Sequence, residues 1–278
     1  MSGQLTVKDL LEILEGIAPV DLAEQWDNVG LMIGKPDQEV TGLLLALDPT
    51  EEVLAEAKAL GVNAIITHHP LIFHPLKAIY TDQPLGRFLQ KALVSEISVI
   101  GCHTNLDQAA NGVNDVLAAC LGMKESTPLV PAAEPGNSAM NVGFGRLGNL
   151  AEPLSRKAFI AKLGEALDLN VLRVAGQVPD EISTIAVCGG SGSELAERAF
   201  AQGAQVYVTG EVKHSTARWA EAAGFCIVDG GHFATENPVV ESLADNLRRI
   251  FSERGLGIAV QTSAKQKNPF VYYQLQGS

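Results

Sequence analysis

Residues Leu43–Thr67 read LLLALDPTEEVLAEAKALGVNAIIT, and the order of residue types in that stretch decides the fold. Leu43 to Leu47 is a short unbroken apolar run, the signature of a strand covered on both faces. Asp48-Pro49-Thr50 then opens a helix, with proline near the first turn, where its missing N–H costs no hydrogen bond. That helix runs to about Leu60, Gly61 stops it, and Ala64–Thr67 forms the next strand.

The same pattern occurs twice. At a constant offset of 142 residues, Gly34 falls on Gly176, Glu52 on Glu194, Ala57 on Ala199 and Gly61 on Gly203. Leu43-Leu44-Leu45-Ala46 overlies Ile185-Ala186-Val187-Cys188, and Ala64-Ile65-Ile66-Thr67 overlies Val206-Tyr207-Val208-Thr209. Further on the offset falls to 129, which brings His103 onto His232 and Asp107 onto Glu236. Self-similarity at a fixed period indicates duplication of one structural unit. The expected fold is therefore α/β: two related three-layer α/β units from an internal duplication, packed about a pseudo-twofold, each with a largely parallel sheet and helices on both faces.

The remaining elements fit two units. Thr6-Val7-Lys8-Asp9 has the form of a capping box before a helix with Leu10, Leu11, Ile13, Leu14 and Ile17 in its apolar set. Short strands are expected at Gly30–Gly34 and Val99–Gly101. The second half repeats the order with a helix at Ser155–Leu167, strands at Val171–Ala175 and Thr184–Val187, a helix at Ser193–Ala201 and a strand at Gln205–Val208. Pro128, Pro131 and Pro135 mark residues 126–138 as a linker, dividing a first half at 1–125 from a second at 139–278.

The 278 residues include 46% hydrophobic and 5% aromatic side chains, enough apolar material for two ordinary cores. A formal charge of −12 argues against a surface that coats nucleic acid, although a bound metal would still attract phosphate. Cys102, Cys120, Cys188 and Cys226 form no CxxC and read as free thiols in a reducing compartment. No secretory signal pattern and no 18-residue apolar span occurs, so the expectation is a cytoplasmic protein that stays off the membrane.

Chemistry enters where strands end. His68-His69 directly follows the Ala64–Thr67 strand, and Pro70 fixes the chain direction beyond it. His103-Thr104-Asn105-Leu106-Asp107 follows Val99–Gly101, and His232-Phe233-Ala234-Thr235-Glu236 follows Phe225–Val228. In open α/β sheets, ligands gather at the carboxyl edge of the strands, so loops of both halves can converge in one cleft. Imidazole with carboxylate is the ligand set of catalytic Zn, Mn or Fe centres, and adjacent His68 and His69 diverge enough to serve two ions. Other readings stand beside this one. Asp107 can cap the helix beginning at Asn111–Asn114, and Glu236 can sit in the first turn of the helix around Pro238–Arg249. His103 reads equally as a ligand or as a hydrogen-bonded histidine behind one. His74 and His214 read as polar surface or pocket-wall residues, and Glu211 takes the slot of His69 in the repeat.

Five ordered motifs resemble the NIF-three-like proteins, often labelled GTP cyclohydrolase type 2 homologues. They are Trp26-Asp27-Asn28-Val29-Gly30-Leu31, Thr67-His68-His69-Pro70-Leu71, His103–Asp107, Thr209-Gly210-Glu211 and Gly231–Glu236, spread over nearly the whole chain. The resemblance implies a two-metal site of His68, His69, Asp107, His232 and Glu236. It pairs His69 with Asp107 on one ion and His68 with His232 on the other, with Glu236 bridging both. It also implies a toroidal homohexamer with the metal sites facing an inner cavity. Many relatives carry an inserted domain between the halves, for which this chain has too few residues.

Two divalent ions (Zn, Mn, Fe or Mg) held this way would suit a hydrolase acting on a nucleotide, a phosphoester or a cyclic amide, with Glu236 and His103 as catalytic candidates. GTP ring opening is one special case, without a P-loop to hold the phosphates. The alternative is a metal-binding regulatory or protein-interaction module whose ions are structural.

Overall fold

The computed structural model describes residues 4–132 and 141–273. The first unit contains α1 (Val7–Glu15), β1 (Gly30–Ile33), β2 (Gly42–Ala46), α2 (Glu51–Leu60), β3 (Ala64–Thr67), α3 (Pro84–Val94), β4 (Ser98–Gly101), α4 (Thr104–Gln108) and α5 (Val113–Cys120). The second contains β5 (Met123–Pro131), β6 (Gly143–Ser155), α6 (Arg156–Ala166), β7 (Arg173–Ala175), β8 (Glu181–Ser191), α7 (Ala196–Ala201), β9 (Val206–Gly210), α8 (His214–Ala223), β10 (Cys226–Asp229), α9 (His232–Glu236) and α10 (Pro238–Glu253). β11 (Ala259–Thr262) closes the described chain.

Local signals act as the residue types require. The Thr6 hydroxyl accepts from the Asp9 amide while the Asp9 carboxylate accepts from the Thr6 amide, completing the capping box of α1. Thr50 caps α2 by accepting from the Val53 amide, and the helix ends at Gly61 in the left-handed conformation (φ 70°).

The strands form two sheets, ordered β1-β4-β3-β2-β11 and β5-β6-β8-β9-β10-β7. Within them, β1-β4-β3-β2 and β7-β10-β9-β8 repeat one arrangement: three parallel strands and an antiparallel edge strand. The register agrees as well. Leu43 stands opposite Ala64 and Ile185 opposite Val206, the pairs matched by the sequence repeat. Alternation of side chains explains the unbroken apolar strands. Leu43, Leu45 and Leu47 enter one core, which α1, α4 and α10 cover, while Leu44 and Ala46 enter another under α2 and α3. Ile185 and Val187 likewise face α5 and α6, and Ala186 and Cys188 face α7 and α8.

Three features depart from the sequence reading. The second sheet is mixed rather than largely parallel, because β5 and β6 add antiparallel to β8. Ser126–Pro131 of the expected linker lies in β5, where Pro128 and Pro131 are tolerated because the strand is at the sheet edge; residues 133–138 of that linker lie outside the described residues. Finally, α10 packs on the first core and β11 pairs in parallel with β2, so the carboxyl-terminal segment returns to the first unit.

Candidate metal centre

The strand ends bring the donors together. In the first sheet Thr67 stands opposite Gly101, so His68-His69 and His103 leave at the same carboxyl edge. The ladder continues one step beyond β3, with the His68 amide donating to the Ala46 carbonyl and the His69 amide to Leu47. In the second sheet Thr209 stands opposite Asp229, and Gly230-Gly231 leads into His232. That path has one residue more than the Gly101-Cys102-His103 path. His103 caps α4 and His232 starts α9, so each helix is a single turn carrying a histidine and, four residues on, a carboxylate on the same face. Asp107 and Glu236 therefore act from inside these turns and face the histidines.

All five expected ligands meet. His68 Nε2 lies 3.6 Å from Asp107 Oδ1 and 3.7 Å from Glu236 Oε1. Glu236 Oε2 lies 3.1 Å from His69 Nε2 and 3.0 Å from His232 Nε2, and these two nitrogens are 3.2 Å apart. The groups able to hold an ion are His68–Asp107–Glu236 and His69–His232–Glu236, with a third formed by His68, His69 and His103. The family resemblance joined His69 to Asp107 and His68 to His232; in the structure the Asp107 carboxylate lies beside His68, and Glu236 turns Oε1 toward His68 and Oε2 toward His69 and His232. His74 and His214 are exposed and outside these groups among the described residues.

Each of the four site histidines is anchored at Nδ1. That nitrogen donates to the Cys102 carbonyl in His68 (2.8 Å), to Asp48 in His69 (2.7 Å) and to Asp27 in His103 (2.8 Å), while in His232 it lies 3.3 Å from Glu211. The partners are carbonyl or carboxylate oxygens, so Nδ1 keeps its proton and each ring, when neutral, presents the Nε2 lone pair inward. Asp27 also accepts from the Thr104 amide and hydroxyl, which locks the start of α4.

The electrostatics match a cation site. Burial pushes the Glu236 carboxyl up, but the imidazoles of His68, His232 and His69 outweigh it and hold the group well below the usual carboxylate range. Burial and the negative charge of Glu236 lift Asp107 to about 6, against the pull of His68. Burial depresses His68 and His69, yet the surrounding carboxylates win: His68 is raised, and His69 rises to about 10 through Asp48 and Glu236. His232 is raised by the Glu236 carboxylate beside it. Two carboxylates and three imidazoles thus face one another around the space that an ion would take.

Asp27, a residue of the first motif, and Asp48, which opens a helix in the sequence, both anchor site histidines. The repeat singled out Glu211, and it reaches His232. The two units nevertheless contribute unequally. The slots of Asp48 and His68 are Gly190 and Gly210 in the second unit. A Cβ at Gly190 would lie 2.0 Å from Glu236 Oε1, and one at Gly210 would lie 2.8 Å from the His232 amide. The second unit gives up side chains there so that Glu236 can reach between the histidines.

Comparison with known proteins agrees over nearly the whole length. The family model described as Duf34/NIF3 (NGG1p interacting factor 3) matches residues 5–269. A Clostridium perfringens protein named GTP cyclohydrolase 1 type 2 homolog is 34% identical over 96% of this chain and 100% of its own length. A Bacillus subtilis protein of the same name is 26% identical in an alignment of 373 positions, longer than this chain, so it carries sequence that is absent here. The crystal structure of Staphylococcus aureus hypothetical protein SA1388 matches with a TM-score of 0.89 at 31% identity, covering 98% of this chain and 100% of that one. Reduced HcgD from Methanocaldococcus jannaschii matches with a TM-score of 0.77 at 28% identity, covering 94% and 99%. Family model, curated relatives and solved structures all cover the fold that carries the histidine–carboxylate cluster, and the chain belongs to the Duf34/NIF3 family.

Proposed function

We propose that the chain is a hydrolase that works with two divalent metal ions on a nucleotide or another phosphorylated or cyclic amide compound. One observation carries this reading: His68 Nε2, Asp107 Oδ1 and Glu236 Oε2 are buried without a hydrogen-bond partner. Leaving such atoms unpaired in the interior costs about 1–3 kcal/mol each. They are acceptors aimed at a common space, and a cation satisfies them together.

His68 and Asp107 would hold one ion and His69 and His232 the other, with Glu236 between them. Bound there, divalent ions would polarise a phosphoryl or carbonyl oxygen of the substrate and stabilise the charge that develops on it. Glu236 offsets the repulsion of two cations. Asp48, Asp27 and the Cys102 carbonyl fix ring orientation, so little reorganisation is needed on loading. His103 has a further task. With its Nδ1 held by Asp27, its Nε2 is the group that would accept or return a proton beside the cluster. The names of the curated relatives make ring opening of a guanine nucleotide one case to test.

The test is a hydrolysis screen of metal-reconstituted protein over nucleotides, phosphoesters and cyclic amides, with Glu236→Gln alongside. That variant keeps shape and loses charge; it should shed at least one ion, lose turnover and stay folded. Full two-metal occupancy without turnover on any class would point instead to a structural metal centre in a binding module.

A further inference from the structure

A cavity of about 540 Å³ opens on the His69–His232 side of the cluster. Its walls come from four places: Asp48 and His69 after the first sheet, Glu211 and His232 beyond the strand ends of the second, Arg173 on the edge strand β7, and Phe270 and Tyr272 on the carboxyl-terminal segment. The volume is that of sites for drug-sized ligands and cofactors. We propose that this cavity is the substrate site and that it selects a molecule combining an anionic group with a planar ring, Arg173 meeting the anion and Phe270 and Tyr272 flanking the ring. The inference rests on the hydrolase reading above and adds the residues that choose the substrate.

Arg173 is set for this work. It stands directly across from Asp229 in the β7–β10 ladder, and its Nη1 lies 3.0 Å from Asp229 Oδ2. Asp229 is nearly buried and also accepts from the Val212 and Gly231 amides, so it is a fixed post. Asp229 is the one ion-pair partner of Arg173 among the described residues, and the guanidinium is 70% exposed. Several of its five N–H groups therefore remain for a phosphate or carboxylate in the cavity. Phe270 and Tyr272 are 74% and 64% exposed although they line a cavity, so both rings have faces that a planar group would cover. In an acidic chain, a cation and two aromatic rings beside the proposed metal site form a chemically selective wall.

The experiment is calorimetric titration of the metal-reconstituted full chain with three probes: guanosine 5′-monophosphate, guanosine and ribose 5-phosphate. Arg173→Gln should weaken the nucleotide and the sugar phosphate about tenfold or more and leave guanosine unchanged, while Arg173→Lys restores part of the loss. Phe270→Ala with Tyr272→Ala should weaken the nucleotide and guanosine about fivefold or more and leave ribose 5-phosphate unchanged. Metal content by elemental analysis should equal the parent's in every variant. The proposal is overturned if the nucleotide does not bind the parent, or binds parent and variants alike. It is also overturned if light scattering shows that the aromatic variant loses assembly while keeping its affinity, which would assign the rings to a subunit contact. Hydrolysis that persists unaltered in both variants would remove this pocket and spare the hydrolase; the expected binding pattern without turnover would do the reverse.

Discussion

At the scale of single residues, the site depends as much on a missing side chain as on its donors. Gly190 sits at φ 62°, and a Cβ there would meet the Glu236 carboxylate at 2.0 Å and His232 Nε2 at 3.3 Å. Gly190→Ala should therefore displace Glu236, lose at least one ion in elemental analysis, and cost about 1–2 kcal/mol from the left-handed backbone alone; full two-metal content in that variant would contradict the steric role of Gly190. Protons give a second expectation. His69 is raised to about 10 and His68 and His232 are raised too, so an ion must displace protons at neutral pH. Metal affinity should rise with pH, and loading in weak buffer should acidify the solution. In the metal-free chain, the raised folded-state value of His69 adds stability that is fully present below the ordinary histidine value of 6.5 and lost as pH climbs to about 10. Thermal melts of the metal-free chain should fall over that window; a flat profile would contradict the assigned partners. The ligands themselves were legible because each pair is local, a histidine and a carboxylate four residues apart at a strand end. Asp48 and Asp27 were not, since they anchor rings 21 and 76 positions away and carry no local mark of that role.

At the scale of elements, the reading succeeded where the physics is short-range. The capping box, the α2 stop at Gly61 and the apolar run of β2 each depend on neighbours within a few residues. β11 was missed because its four residues are half-exposed and its partner β2 is distant in sequence, so neither an apolar run nor a turn announces it. Its role shows just beyond its end. The Gln266 side-chain oxygen accepts from the Leu47 amide at 2.6 Å and the Asp48 amide at 3.0 Å, tying the carboxyl-terminal segment to the residue that anchors His69. Gln266→Ala should cost about 1–2 kcal/mol of stability for the two lost bonds. It should also weaken metal binding by up to about tenfold, the low end for losing an outer partner. A variant with lower melting temperature and unchanged metal affinity would show that the segment supports the sheet alone.

At the scale of the whole molecule, the duplication was legible because repeated strands keep both residue types and register, as Leu43–Ala64 and Ile185–Val206 do. The division at residues 126–138 followed chain order, which says nothing of α10 and β11 returning to the first unit. Among the described residues no helix is long and apolar enough to cross a membrane. Assembly is the remaining question, and the homohexameric ring stands as a proposal drawn from the family resemblance. The surface offers one physical reason for association: the connection between β3 and α3 exposes Phe73, Leu76, Ile79 and Tyr80, a concentration of apolar side chains that a lone chain gains by covering. A charge of −12 per chain opposes association through like-charge repulsion, which salt screens. Light scattering should therefore give a mass about six times 29.4 kDa, with the assembly tightening as ionic strength rises from about 0.01 to 0.15 M. Ile79→Lys with Tyr80→Lys places desolvated cations in the contact and should yield smaller species with metal content unchanged. A single 29.4 kDa species for the parent chain would reject the ring, and an intact ring in the double variant would place the contact elsewhere.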